Sequence, residues 1–216
     1  MTEGPDERVR TVRERIAGAA RRAGRDPADV TLVAATKTVD AARIAAVLAL
    51  GVADVGENRA QELLAKAPEL ADEPEPPRWH FVGQLQRNKV AALAPWVACW
   101  QSVDREPLGG AIARRAAGAR VLVEVNLGGE AQKGGCGPDE TPALVDVLRE
   151  HGLSVDGLMT VHPQHDEPQR WFAALRELAA RLELRDLSMG MTDDYEVAVE
   201  QGATIVRVGR ALFGEH

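Results

Sequence analysis

From Val30 onward the chain alternates short β-branched runs with longer stretches whose apolar residues fall three and four apart. The runs are TLVAAT, VADVG, WHFVG, ACWQSV, RVLVEVNL, VDGLMTV, LSMG and ATIVRVG, eight strand candidates in all. The stretches between them read as amphipathic helices near 40–50, 59–67, 87–93, 106–117, 138–151, 169–181 and 195–200. Ahead of this series, Val9, Val12, Ile16 and Ala20 share one face of a further helix over 7–23. Pro and Gly sit mostly between the pieces, where breakers belong. The Pro-rich DEPEPPRW is the longest candidate loop and reads as a solvated connection, not a domain linker.

Strands that alternate with helices imply a parallel sheet, because parallel neighbours need a crossover between them. Eight such strands allow a closed barrel or an open doubly wound sheet. The first strand-to-helix turn, ATKTVD, carries neither GxGxxG nor a Walker A pattern, which weakens the nucleotide-binding open sheet. The expected fold is therefore α/β: a single (β/α)₈ TIM barrel over 1–216 with an extra N-terminal helix. At 216 residues the chain is near the lower limit for that fold, so its loops must be short.

Charge and composition narrow the partners. The formal charge of −7, with 26 basic residues scattered along the chain, argues against nucleic acid. No run approaches a membrane span, and the N-terminus has no apolar signal core, so a soluble cytoplasmic protein is expected. Cys99 and Cys136 lack zinc-like spacing and read as reduced thiols; no metal site is expected. Among the basic residues only Lys37, Lys66, Lys89 and Lys133 are lysines.

Barrel chemistry sits at the C-terminal ends of strands. Of the four lysines only Lys37 falls at such an end; Lys66 and Lys89 lie in helical patterns and Lys133 in a Gly-rich loop. A half-buried ammonium there would lose hydration and become an amine able to attack an aldehyde, the chemistry that pyridoxal phosphate requires. A lysine merely reaching solvent from a strand end is the alternative. At the other end of the chain, Ser188, Gly190, Met191 and Thr192 lead into a helix, and Arg207, Gly209 and the Arg210 amide follow the last strand. Loops after strands seven and eight are where barrels commonly hold phosphate. Thr192 or Asp193 could instead simply cap the helix, with Arg207 paired to a carboxylate. Asp193 and Asp194 would have to point away from an anion. His80 alternates with Trp79 and Phe81 and faces either the barrel mouth or a hydrogen-bonded core; Asn58 and Asn126 could hold a cofactor ring or satisfy backbone groups.

These pieces resemble a known family. TKT around Lys37, GEN at Gly56 to Asn58, WHFVGQLQRNK at Trp79 to Lys89, VLVEVNL with Lys133-Gly134, DGLMTV, SMGMTDDYEVAVEQGAT and VRVGRALFG run in the order found in the pyridoxal-phosphate homeostasis proteins, whose fold resembles the barrel of alanine racemase. The resemblance implies pyridoxal 5′-phosphate as a Schiff base on Lys37, with the Ser188–Thr192 and Arg207–Arg210 segments on its phosphate side. By similarity to the racemase, Arg207 approaches either the phosphate or the pyridine nitrogen. The chain departs from the family at Val39 and Asp40, where a lysine and a proline are usual, and at Gln84, often proline.

What the resemblance implies is a cofactor-holding protein that influences pyridoxal phosphate supply, with transient contact to apo-enzymes and no established catalysis. The racemase draws a tyrosine from a second domain of its partner subunit; here the one tyrosine, Tyr195, reads as a surface or packing residue, and a monomer is expected. Two competitors remain: a small pyridoxal-phosphate racemase or lyase using Lys37 as base, with Asn126, His80 or water as second proton carrier, and a sugar-phosphate barrel enzyme with no cofactor.

Overall fold

In the computed structural model, which describes residues 4–130, 132–163 and 166–214, eight parallel strands close on themselves in chain order. They are β1 (Thr31–Ala35), β2 (Asp54–Glu57), β3 (Arg78–Phe81), β4 (Val97–Val103), β5 (Arg120–Glu124), β6 (Ser154–Met159), β7 (Asp186–Ser188) and β8 (Ile205–Val208). Closure is made by β1, which pairs with β2 on one side and with β8 on the other. The (β/α)₈ barrel expected from the eight runs is thus the fold, and no sheet edge is left to cover.

Around the strands lie α2 (Ala41–Leu48), α3 (Ala60–Glu69), α4 (Val90–Leu93), α5 (Glu106–Ala113), α6 (Thr141–Glu150), α7 (Pro168–Arg181) and α8 (Tyr195–Glu200), after the N-terminal α1 (Pro5–Arg22). Pro5 opens α1, Asp6 and Glu7 sit in its first turn and Arg21 and Arg22 in its last, a charge order that suits the helix dipole. Its face of Val9, Val12, Ile16 and Ala20 is buried as the spacing predicts, and it packs against α8 and the short α9 (Arg210–Phe213). Asp40 caps α2 by accepting the Arg43 N–H at 2.8 Å, and Val39 is buried.

Three details differ from the sequence expectation. A four-residue helix shows no 3.6-residue periodicity, so α9 could not be read from ALFG. The run RVLVEVNL leaves the sheet at Glu124, after which Val125 forms an isolated bridge to Cys136. The connection over 125–140 is accordingly longer than that over 70–77, which holds most of DEPEPPRW.

The strands' outer faces and the helices form the main core. Inside the barrel is a smaller apolar cluster of Val33, Cys99, Leu122, Met159 and Ile205. Other inward positions carry polar groups, and these lead to the site. Both cysteines are buried and unbonded to each other; burial pushes the Cys99 thiol up to about 12. Among the described residues no helix is long and apolar enough to cross a membrane, and no cluster of three metal-ligating side chains occurs.

Candidate functional site

A file of hydrogen bonds crosses the barrel interior. Arg207 on β8 donates from Nη1 to Ser188 Oγ at 2.5 Å and from Nη2 to the Thr160 carbonyl at 2.9 Å. Ser188 donates to Gln101 Oε1 at 2.6 Å. Since β4 and β7 are not neighbours in the barrel, that bond can only run through the interior. Gln101 Nε2 lies 2.6 Å from His80 Nδ1, and His80 Nε2 lies 2.9 Å from Asp54 Oδ1. An amide NH₂ can only donate, so Nδ1 is the acceptor and the ring proton belongs on Nε2, an assignment made from the network. Every donor points the same way, from Arg207 to Asp54.

This file revises two candidates. His80 is 2% exposed with both ring nitrogens engaged, so it is the hydrogen-bonded core histidine and does not look out of the barrel mouth. The Ser188 hydroxyl is fully buried and committed to Gln101 and Arg207, so it faces no cradle. At the floor, burial pushes the Asp54 carboxyl up, but hydrogen bonds from His80 and Arg78 outweigh it and bring it down to about 2. Arg78 forks onto Asp54 at 2.5 and 2.9 Å, and Arg120 bonds Asp186 at 2.5 Å and Asp156 at 3.0 Å.

The upper end of the file is different. Arg207 is 6% exposed, its hydrogen-bond partners are a hydroxyl and a carbonyl, and among the described residues it forms no ion pair. Burial draws its guanidinium down to about 10, which still leaves it charged at neutral pH. Glu124 and Asp194 act on it only at longer range; a desolvated cation with no anion in contact is costly, which marks the position as one that a negative or acceptor group would suit. The alternative of Arg207 paired with a carboxylate does not hold.

Around it the β7 and β8 turns form a backbone cradle. Gly190 has φ +91°, and a Cβ there would stand 2.5 Å from Ala198 Cβ, so only glycine fits. Arg207 N–H donates to the Gly190 carbonyl, tying the two turns together. Gly209 packs on β1, where a Cβ would meet the Ala35 carbonyl at 3.1 Å. Thr192 Oγ1 accepts the Gly209 N–H at 3.3 Å and keeps its own proton to donate. The Arg210 N–H opens α9 and lacks an intrahelical partner, while its guanidinium pairs with Asp193. Two groups are already spent: the Met191 N–H donates to Asp194 Oδ1 at 2.6 Å, and Asp194 Oδ2 holds His162 Nε2 at 2.5 Å. Asp194 therefore braces the turn from behind instead of facing an anion.

Lys37 lies just past β1, the strand hydrogen-bonded to β8, so barrel closure puts the chain at Lys37 next to the strand that leads into the Gly209 turn. Its side chain is exposed, not half-buried as expected. The flanking residues are fixed: Thr36 is buried, and Thr38 adopts φ 62°, a left-handed conformation uncommon outside glycine. Lys66, set aside in the sequence as a helical lysine, reaches back from α3. Its Nζ donates to the Thr36 carbonyl at 2.9 Å, to Glu57 Oε2 at 2.7 Å and to Glu62 Oε2 at 2.9 Å. Glu57 also accepts from Thr36 Oγ1 at 3.0 Å, and Glu62 from the Thr38 N–H at 3.0 Å.

Across the mouth, Glu124 ends β5 with Oε2 buried and unpartnered under Gly134. Burial, with Asp104 adding to it and the Arg207 charge opposing it, pushes this carboxyl up to about 7. Asn58 begins the mouth's other flank, with Oδ1 buried and unpartnered. It borders a cavity of about 500 Å³ shared with Gln84, Lys89 and Arg105, which includes neither Lys37 nor the β7 and β8 turns. Asn126 bonds Glu130 with both amide atoms and serves its own loop. Tyr195 is 2% exposed and packs in the core. Sequence reasoning missed Asp54, Gln101, Glu124, Glu57 and Lys66; the signal available for the first three was a polar residue in a strand at the inward parity.

Fold and mouth together define a (β/α)₈ barrel with a lysine after its first strand and an unpaired buried cation on its last. The chain matches the family model described as alanine racemase, N-terminal domain, over residues 9–216. It is 43% identical to the pyridoxal phosphate homeostasis protein of Pseudomonas aeruginosa over 96% of this chain and 94% of that one. To its namesake in Aquifex aeolicus it is also 43% identical, over 97% of each. Among solved structures, PipY of Synechococcus elongatus with pyridoxal phosphate bound superposes with a TM-score of 0.82 at 34% identity, covering 94% of this chain and 100% of that one. The chain belongs to the pyridoxal phosphate homeostasis protein family.

Proposed function

We propose that this chain binds pyridoxal 5′-phosphate through an imine to Lys37 and holds it as a carrier, without turning over an amino-acid substrate. The observation that carries the reading is Arg207, a buried guanidinium with no carboxylate partner on the strand next to Lys37. The donor set fits the cofactor. The Arg210 N–H and the Thr192 hydroxyl would meet its phosphate, the Gly190 and Gly209 turns leave room for it, and Arg207 would face the phosphate or the pyridine nitrogen. The bound cofactor supplies an aldehyde carbon and an electron sink. The chain's residues present the amine, neutralise the anion and keep water from the barrel interior. The relatives named above for pyridoxal phosphate homeostasis, and the PipY structure holding the cofactor, support this reading. We take the protein to act as a monomer that passes cofactor transiently to apo-enzymes.

Borohydride reduction of the pyridoxal-phosphate-treated chain, followed by peptide mass mapping, tests the assignment. The pyridoxyl adduct is expected on Lys37, and Lys37→Ala should lose the visible absorbance. An adduct confined to another lysine overturns it. Sustained amino-acid turnover abolished by Lys37→Ala would instead make the protein a racemase or lyase.

A further inference from the structure

We propose that Lys66, with Glu57 and Glu62, is a positioning device that sets the backbone on both sides of Lys37, and that the same ion cluster withdraws Lys66 from competition as an amine. The inference rests on the reading of Lys37 above. Lys37 itself is exposed and sits on a short turn after β1, so its own side chain gains no rigidity from packing. Its neighbours are held instead. On the near side, Thr36 gives its hydroxyl proton to Glu57 and its carbonyl to Lys66. On the far side, the Thr38 N–H goes to Glu62, the second carboxylate that Lys66 holds. Thr38 is left-handed at φ 62° without being glycine, a conformation that persists only where surrounding contacts over-determine it. Thr38 makes a local bond from its hydroxyl to the Lys37 carbonyl at 2.6 Å, and the bond that ties it to another element is its N–H to Glu62, the carboxylate that Lys66 also holds.

The cluster is also stoichiometrically closed. An ammonium has three N–H groups, and Lys66 Nζ meets three acceptors, a carbonyl and two carboxylates, within 2.9 Å. Glu57 is fully buried and Lys66 nearly so. Attack on an aldehyde requires the neutral amine and would strip Glu57 of its counter-charge inside the protein. Of two lysines near the same turn, one is thus free to react and the other is occupied in holding it in place.

The test uses the full chain and pyridoxal phosphate, with three readouts: the rate at which visible absorbance appears, the lysine that carries the reduced adduct, and the melting temperature without cofactor. Removing Lys66 alone would leave Glu57 buried and unpaired, so the main variant is the charge-neutral double substitution Lys66→Met with Glu57→Gln. Glu62→Gln, which keeps the Lys66–Glu57 pair, is the second. The double variant is expected to melt cooperatively yet acquire absorbance roughly tenfold more slowly or worse, since misplacing a reacting group by about an ångström costs that much and more. Glu62→Gln should show a smaller slowing, and Lys66→Arg, which restores the charge, should recover part of the rate. Unchanged rate and unchanged labelling at Lys37 in Glu62→Gln, or in a folded double variant, overturn the inference and leave the Lys37 assignment standing. Failure of the unmodified chain to label at Lys37 overturns that assignment instead.

Discussion

At the floor of the barrel Asp54 meets Arg78 and His80, and Arg120 meets Asp156 and Asp186. At the mouth Arg207 and Glu124 are as deeply buried as Asp54, yet neither forms a contact ion pair among the described residues, each feeling the other's charge only at longer range. Both ends belong to one polar interior, and the hydrogen-bond file from Arg207 to Asp54 links them. The difference lies in what closes each end. A satisfied charge pair locks strands together and leaves nothing for a ligand to do. An unsatisfied one costs stability in the free protein, and that cost is recovered only when something binds. In barrels generally the N-terminal face reads as stability and the C-terminal face as chemistry.

The largest effect that would test this contrast is at the floor. Asp54→Ala leaves the His80 Nε2–H buried without an acceptor and is expected to lower stability by about 3 kcal/mol, read from urea denaturation at pH 7. In the unsubstituted chain the Asp54 contribution is present above its ordinary value of 3.8 and is lost as the pH falls through about 2. An Asp54→Ala chain as stable as the parent would mean that the floor is not the locked end.

Glu124 should behave with the opposite sign. Its carboxyl holds a proton up to about 7 in the folded chain, whereas the ordinary value is 4.5. Between those two values the unfolded chain has released the proton and the folded chain has not, so stability declines as the pH rises from 4.5 to about 7. Glu124→Gln, uncharged at every pH, should remove that decline and gain up to about 3 kcal/mol at pH 8. Parallel denaturation series at pH 5 and pH 8 measure it; equal differences between variant and parent at both would refute the mouth's open state.

The smallest effect expected is on binding. Arg207→Lys keeps the charge but loses the two-pronged donation to Ser188 and Thr160 and should weaken pyridoxal phosphate binding roughly tenfold, followed by visible titration. Affinity equal to the parent's would show that the two-pronged anchoring of the guanidinium does not matter to what the ligand meets.

How much of this was legible beforehand depended on whether a feature was local. The eight strands, the helices between them and the buried face of α1 follow from period and breakers, which survive in any window of ten to fifteen residues. Lys37 and the 188–192 and 207–210 segments stand out by position at strand ends. The roles within those segments do not, because a hydroxyl or an amide is available only if no other group has claimed it. Ser188 was claimed by Gln101, 87 positions away, and the Met191 amide by Asp194. Lys66 was dismissed because helical spacing says nothing about which strand end a long side chain can reach.

Alone, the sequence determined the strand and helix order, the closed α/β architecture and the one lysine at a barrel strand end, because each is set by neighbours in the chain or by counting. Only the tertiary structure decided that His80 and Ser188 are internal, that Lys66 bonds the Thr36 carbonyl beside Lys37, and that Arg207 and Glu124 lack a contact ion pair. Pairing is a property of groups brought together by closure of the barrel, and no local pattern records which of them meet.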